Sequence, residues 1–242
     1  MKIKSDLKGI LFDLDGTLLD IDLNKHFPFY HKHLYEDFPN SMTFEQFNNH
    51  MWACIFKTVT HKTGRTNYDV LMEEFLLPFS LTREEAEPIL RRFYKSEYPQ
   101  LKKFVNPRPE SREVVQHVIK KNFKVVIATN PLFILDALKA RMNWAVIDDL
   151  QFDLITHAEN FTTCKPNLDY YREIKSWEKM LDRAKEILAG HSLPTHMAYM
   201  HEVVRMAVYK RQVPALYALS AIGADPVFLK AVEVLENEIY DD

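Results

Sequence analysis

A short apolar run, Ile10, Leu11 and Phe12, ends abruptly on Asp13-Leu14-Asp15-Gly16-Thr17, so that two carboxylates stand two residues apart where a strand should stop. The run is β-prone and flanked by polar residues, which predicts a parallel-sheet strand covered on both faces. In open α/β sheets, ligands bind in the crevice beyond the carboxyl ends of such strands, so both acids are expected to line a site. Their mutual repulsion is relieved by a cation between them, and a hard divalent ion, Mg²⁺ first, is the simplest choice. Gly16 lets the chain turn sharply beside the pair, and Thr17 offers a hydroxyl and an amide to a phosphate oxygen.

Composition removes several competing classes. With 242 residues, 47% hydrophobic and 27% charged, the chain reads as a globular core with an insertion or appendage. A net charge of -3 gives no reason to expect nucleic acid as a partner. Cys54 and Cys164 are far apart and in no metal or redox spacing, so both are expected to be reduced thiols. The N-terminal apolar stretch is too short for a signal peptide, and no run reaches membrane-spanning length, which predicts a cytoplasmic protein without a membrane partner. Only 5 glycines occur, in neither the dinucleotide-binding nor the P-loop arrangement, so phosphate must be held by other means.

After Asp20 the pattern becomes helical. The capping box Thr43-x-x-Gln46 precedes Phe44, Phe47, Met51, Ile55 and Val59 at helical spacing, and Thr82-x-x-Glu85 opens a further helix ending before Pro99. The aromatic residues Phe27, Phe29, Tyr30, Tyr35 and Phe38 are read as packing between helices in preference to a substrate pocket. His26, His31 and His33 are read as structural or solvated, because positions 31 and 33 point to different helix faces. The segment around Val114, Val115, Val118 and Ile119 predicts a helix with those four on one face. It leads into a second strand, Val125 to Ala128, which stops on Thr129 and Asn130. A third strand is expected within FDLITHAEN, and Lys165, just before Pro166 at the start of a helix, projects from a turn as a cation reaching into a site.

In this order, the D-x-D-G-T turn, the strand ending in Thr-Asn, and the Lys-Pro before a helix resemble the haloacid dehalogenase superfamily of aspartate-nucleophile phosphatases, over about residues 7 to 174. The resemblance implies an α/β fold: a parallel-sheet, Rossmann-like core formed by 1–20 and 104–175, with an inserted helical cap over 21–103. It implies that Asp13 attacks phosphorus and that Asp15 protonates the leaving alcohol and later deprotonates water. Thr129, with the amide of Asn130, would hold the transferring phosphoryl group. Lys165 would balance charge, and Mg²⁺ would be bound by the Asp13 carboxylate and the Asp15 backbone carbonyl. Asp15 also separates phosphatases from the dehalogenases of the family, which displace halide and need no acid at that position. The expected substrate is a small phosphorylated metabolite, because a closing helical cap excludes polymers.

The family's fourth motif, a strand ending in an acidic pair that completes the metal shell, is not found. From Ser176 onward the chain reads as helices instead, with Trp177, Met180, Leu181, Ala184, Ile187 and Leu188 on one face and Met197, Met200, Val204 and Ala207 on another. Asp225 reads as the cap of a helix beginning at Pro226, not as a metal ligand. The missing strand would be the neighbour of the one carrying Asp13, which leaves that edge to be covered by something else. Two functions follow: a weak Mg²⁺-dependent phosphatase, or a catalytically silent relative whose residues 176–242 form a helical surface for a protein partner.

Overall fold

In a computed structural model, residues 7–39, 42–190, 194, 199–200, 203–204 and 226–240 are described, and the chain divides into two compact units, Met1–Tyr170 and Tyr171–Asp242. The first unit is α/β. Its three-stranded parallel sheet has the order β1 (Gly9–Phe12), β4 (Lys124–Ile127), β5 (Leu154–Ile155), with Phe12 in register with Ile127 and Ile127 with Ile155. Parallel register brings all three carboxyl ends to the same side, so the polar residues that stop each strand converge.

Two short strands, β2 (Leu19–Ile21) and β3 (Val105–Pro107), pair antiparallel and bracket a helical insert. The insert contains α1 (Leu23–Asp37), α2 (Phe44–Thr60), α3 (Asn67–Leu76), α4 (Arg83–Ser96) and a 3-10 helix, Tyr98–Phe104. Both expected capping boxes form: Thr43 accepts from the Gln46 N–H at 3.3 Å and Thr82 from the Glu85 N–H at 3.3 Å, while each partner side chain reaches back to the cap N–H at 2.8 Å. A third N-cap, Thr66 accepting from the Asp69 N–H at 3.1 Å, starts α3, a helix too short to stand out by periodicity. The aromatic residues of α1 pack inside the insert, as read from sequence: Phe38 lies edge-on to Phe75, and the Tyr30 and Tyr94 hydroxyls meet at 2.9 Å.

Three expectations are corrected. β1 is not covered on both faces: Leu11 is 44% exposed, because among the described residues β1 has a strand partner on one side only. On α2, Cys54 and Thr58 are buried with Phe47 and Met51, while Phe44 is exposed and Ile55 and Val59 are half-buried; the inward stripe is rotated by one residue. On α5 (Pro109–Lys120), Val115 and Val118 face inward but Val114 is 45% exposed. The same error of phase explains both helices, since adjacent residues lie about 100° apart around the axis.

In the second unit, α7 (Leu168–Gly190) continues past Tyr170 and buries Ile174, Trp177, Leu181, Ala184, Ile187 and Leu188, with Met180 half-buried. α8 (Pro226–Tyr240) starts at the expected proline and buries Phe228, Ala231, Val232 and Leu235, and the Tyr199 and Phe228 rings meet edge-on at 5.4 Å. Met200 and Val204 are buried, whereas Met197, Ala207 and the proposed cap Asp225 lie outside the described residues.

His26 and His31 on α1 are fully buried, not solvated. His31 Nδ1 lies 2.7 Å from the Asn48 side-chain oxygen, but neither ring nitrogen of His26 has a hydrogen-bond partner among the described residues. Burial, the nearby Arg141 cation and His31 push His26 down from 6.5 to about 3. Unfolding restores the ordinary value, so between those limits the unfolded chain binds the extra proton and stability falls as pH falls. We expect His26 alone to cost about 2 kcal/mol between about pH 7 and about pH 5. Urea midpoints at the two pH values measure the loss, and His26→Leu should flatten it by that amount.

Candidate active site

The parallel ladder of β1 and β4 continues for one bond beyond the strands, with the Ala128 N–H donating to the Phe12 carbonyl at 2.7 Å. Asp13 and Ala128 therefore stand opposite each other at the carboxyl end of the sheet, with Thr129 one residue further along. The Lys165 ammonium donates to Asp13 Oδ1 at 2.8 Å, and the Thr17 hydroxyl donates to Oδ2 at 3.2 Å. Thr17, expected to serve a phosphate oxygen, thus meets the nearest acceptor of its own turn. The Asp13 side chain remains 38% exposed, which leaves the carboxylate accessible from solvent. Gly16 takes the left-handed conformation (φ 79°) that the sharp turn requires, and Arg108 clamps the turn by donating to the Gly16 carbonyl at 3.2 Å.

The two loops facing Asp13 are tied together. The Asn130 side-chain oxygen accepts the Lys165 backbone N–H at 3.1 Å, which fixes the start of the lysine turn against the end of β4. The Thr129 carbonyl accepts from the Thr156 hydroxyl at 2.7 Å and the Tyr170 hydroxyl at 2.9 Å. Lys165 occupies a turn, and α7 starts only at Leu168, so Pro166 precedes the helix instead of lying in its first turn. From the helical insert, buried Asn67 donates its side-chain amide to the Pro131 carbonyl at 3.1 Å and the Thr163 carbonyl at 3.3 Å. Its own N–H donates to the Phe161 carbonyl at 2.7 Å. One asparagine therefore pins the insert to both loops.

Asp15 meets a different cation. Arg141 Nη1 donates to Asp15 Oδ2 at 2.6 Å, and Arg141 Nε donates to the Tyr98 hydroxyl at 2.6 Å. Burial opposes the Arg141 charge, but Asp15 and Tyr98 outweigh it and hold the guanidinium above its ordinary value. Asp15 Oδ1 is buried and has no hydrogen-bond partner among the described residues.

For a divalent cation, the donors at hand are the Asp13 carboxylate and the Asp15 carbonyl oxygen, which no donor among the described residues reaches. No group of three or more His, Cys, Asp or Glu that could hold a metal occurs among the described residues. The set meets the lower limit for Mg²⁺, which is bound through one or two carboxylates and fills its other positions with water and phosphate.

A sequence model described as a haloacid dehalogenase-like hydrolase matches residues 7–189 of the 242. The chain belongs to the haloacid dehalogenase-like hydrolases. No curated protein matches it. Family membership establishes a hydrolase, and members typically use a divalent metal. Among the described residues, no helix is long and apolar enough to cross a membrane.

Of the residues singled out from sequence, Asp13, Thr129, Asn130 and Lys165 gather at one end of the sheet, and Asp15 points to Arg141. Arg141, Tyr98, Asn67, Thr156 and Tyr170 escaped the sequence reading. Arg141 left a signal: it shares a helical face with the buried Ala137 and Leu138, four and three residues earlier, and a cation on an apolar stripe demands a buried partner. Asn67→Ala should cost about 1–3 kcal/mol, since the buried Pro131 carbonyl loses this donor and the half-buried Thr163 carbonyl loses the tie to the insert. A thermal melt of wild type and variant checks this, and an unchanged melting temperature would show that the tether carries no load.

Proposed function

We propose that this hydrolase cleaves a small phosphomonoester through an aspartyl-phosphate on Asp13. The 2.8 Å approach of Lys165 to Asp13 Oδ1 carries the reading, because it joins the first and third motifs around one carboxylate. An Asp13 oxygen attacks phosphorus and the ester P–O bond breaks, with Asp15 giving its proton to the departing alcohol oxygen. Asp15 then takes a proton from the water that attacks the phospho-enzyme, which frees Asp13 and inorganic phosphate. The Thr129 hydroxyl and the Asn130 N–H are suited to hold the phosphoryl oxygens, and Lys165 offsets the charge gathered there. The Asp13 carboxylate and the Asp15 carbonyl would hold Mg²⁺, which when bound supplies positive charge between nucleophile and phosphate. The helical insert between β2 and β3 favours a small substrate over a polymer.

Phosphate release from a panel of phosphomonoesters, with and without Mg²⁺, tests the proposal. Asp13→Asn should lower turnover by at least about a thousandfold, as expected for loss of a nucleophile. Lys165→Met should lower it by about a hundredfold or more.

A second reading, a silent domain with a partner-binding segment over 176–242, is favoured by the lack of a third acid at the metal donors among the described residues. Beryllium fluoride separates the two. Mg²⁺-dependent binding that disappears in Asp13→Asn excludes a dead site, whereas no binding and no turnover favours silence.

A further inference from the structure

Asn67 opens α3, is fully buried, and has both groups of its side-chain amide committed. The amide nitrogen donates to the Pro131 carbonyl at 3.1 Å and to the Thr163 carbonyl at 3.3 Å. Pro131 follows Asn130 directly, on the way into α6 (Leu135–Trp144), and Thr163 lies two residues before Lys165. The amide oxygen lies 2.8 Å from His61 Nε2. An amide oxygen only accepts, so Nε2 carries the proton, and Nδ1 is left to accept from the Thr63 hydroxyl at 3.0 Å. His61, which caps the end of α2, therefore fixes which side of the amide meets the two carbonyls. The backbone of this turn is also held. The N–H groups of Asn67 and Tyr68, first-turn donors that a helix cannot satisfy internally, are given to the Phe161 and Ala158 carbonyls at 2.7 and 2.8 Å.

Within the core, the same two turns are tied by the Lys165 N–H donating to the Asn130 side-chain oxygen at 3.1 Å. A single hydrogen bond leaves two turns free to rotate about it, and a second bridge at other positions removes that freedom. The Lys165 ammonium stands at the end of a flexible stem, so a small rotation of its turn is enlarged at Nζ. A displacement of about 1 Å at a reacting centre can cost on the order of a hundredfold in rate. We propose that Asn67, oriented by His61, is a positioning residue that fixes the lysine turn against the Thr129-Asn130 turn and so sets where the Lys165 ammonium meets Asp13. The proposal rests on the reading of Lys165 as the charge-balancing cation of a phosphoryl site.

A double-mutant cycle on the full-length chain tests it, with kcat/KM for 4-nitrophenyl phosphate measured on variants whose circular dichroism shows them folded. If Asn67 acts through Lys165, Asn67→Ala should lower the value by about twentyfold with the lysine present and by less than about threefold in a Lys165→Met background. His61→Ala, which leaves Asn67 in place but frees its amide, should give the same pattern with a smaller loss, and it decides alone if Asn67→Ala does not fold. Equal losses in both backgrounds mean general loosening and overturn the proposal, as does no loss in either. Where the Lys165→Met background turns over too slowly to measure, the affinity of the four proteins for inorganic phosphate, followed by phosphorus NMR, is judged by the same comparison. Wild-type chain without turnover that Asp13→Asn abolishes overturns this proposal together with the phosphatase reading; such turnover with equal losses in the cycle removes only the role of Asn67.

Discussion

Two like charges two residues apart can share one tight turn only if each has a cation of its own, and the site is organised by that requirement. Asp13 takes Lys165 from a turn 152 residues later, and Asp15 takes Arg141 from a helix 126 residues later. The two cations are chemically unlike. A flexible ammonium reaches an open carboxylate on one side, and a rigid guanidinium locks a more enclosed one on the other. Neighbouring residues of the same type are thereby given different freedom.

Both cations depend on the sheet and on the insert. Three parallel strands are few, but their common carboxyl end brings the Asp13 turn and the Thr129-Asn130 turn to the same side and lets Asn130 pin the lysine turn. The insert contributes at two points: Asn67 grips the loops after β4 and before Lys165, and Tyr98 reaches Arg141 at the segment leading back to the core. Any displacement of the insert would therefore be felt by both acids. The half-exposed Leu11 and the single strand partner of β1 mark the price of a fold that lacks the usual neighbour among its described residues.

The parts legible in sequence were those with short-range grammar. The strand stop at Asp13, the Thr129-Asn130 stop and the Lys165-Pro166 turn each announce themselves within a few residues, and the capping boxes at Thr43 and Thr82 mark helix starts because both bonds span three residues. Periodicity located helices but set their phase poorly, as Val114 and the rotated stripe of α2 show. Sequence left His26 structural or solvated, and the choice fell to burial because α1 packs near Tyr98 and Arg141, groups 72 or more residues away.

The amino-acid order by itself determined the identities of the acids, the hydroxyl, the amide and the lysine, and the α/β class, because backbone propensity and side-chain chemistry act locally. Only the tertiary structure decided which cation serves which acid, and that Asn67 of the insert grips the loops after β4 and before Lys165. Those outcomes depend on distances between segments remote in the chain, and such distances are fixed by packing and desolvation, which no local pattern encodes.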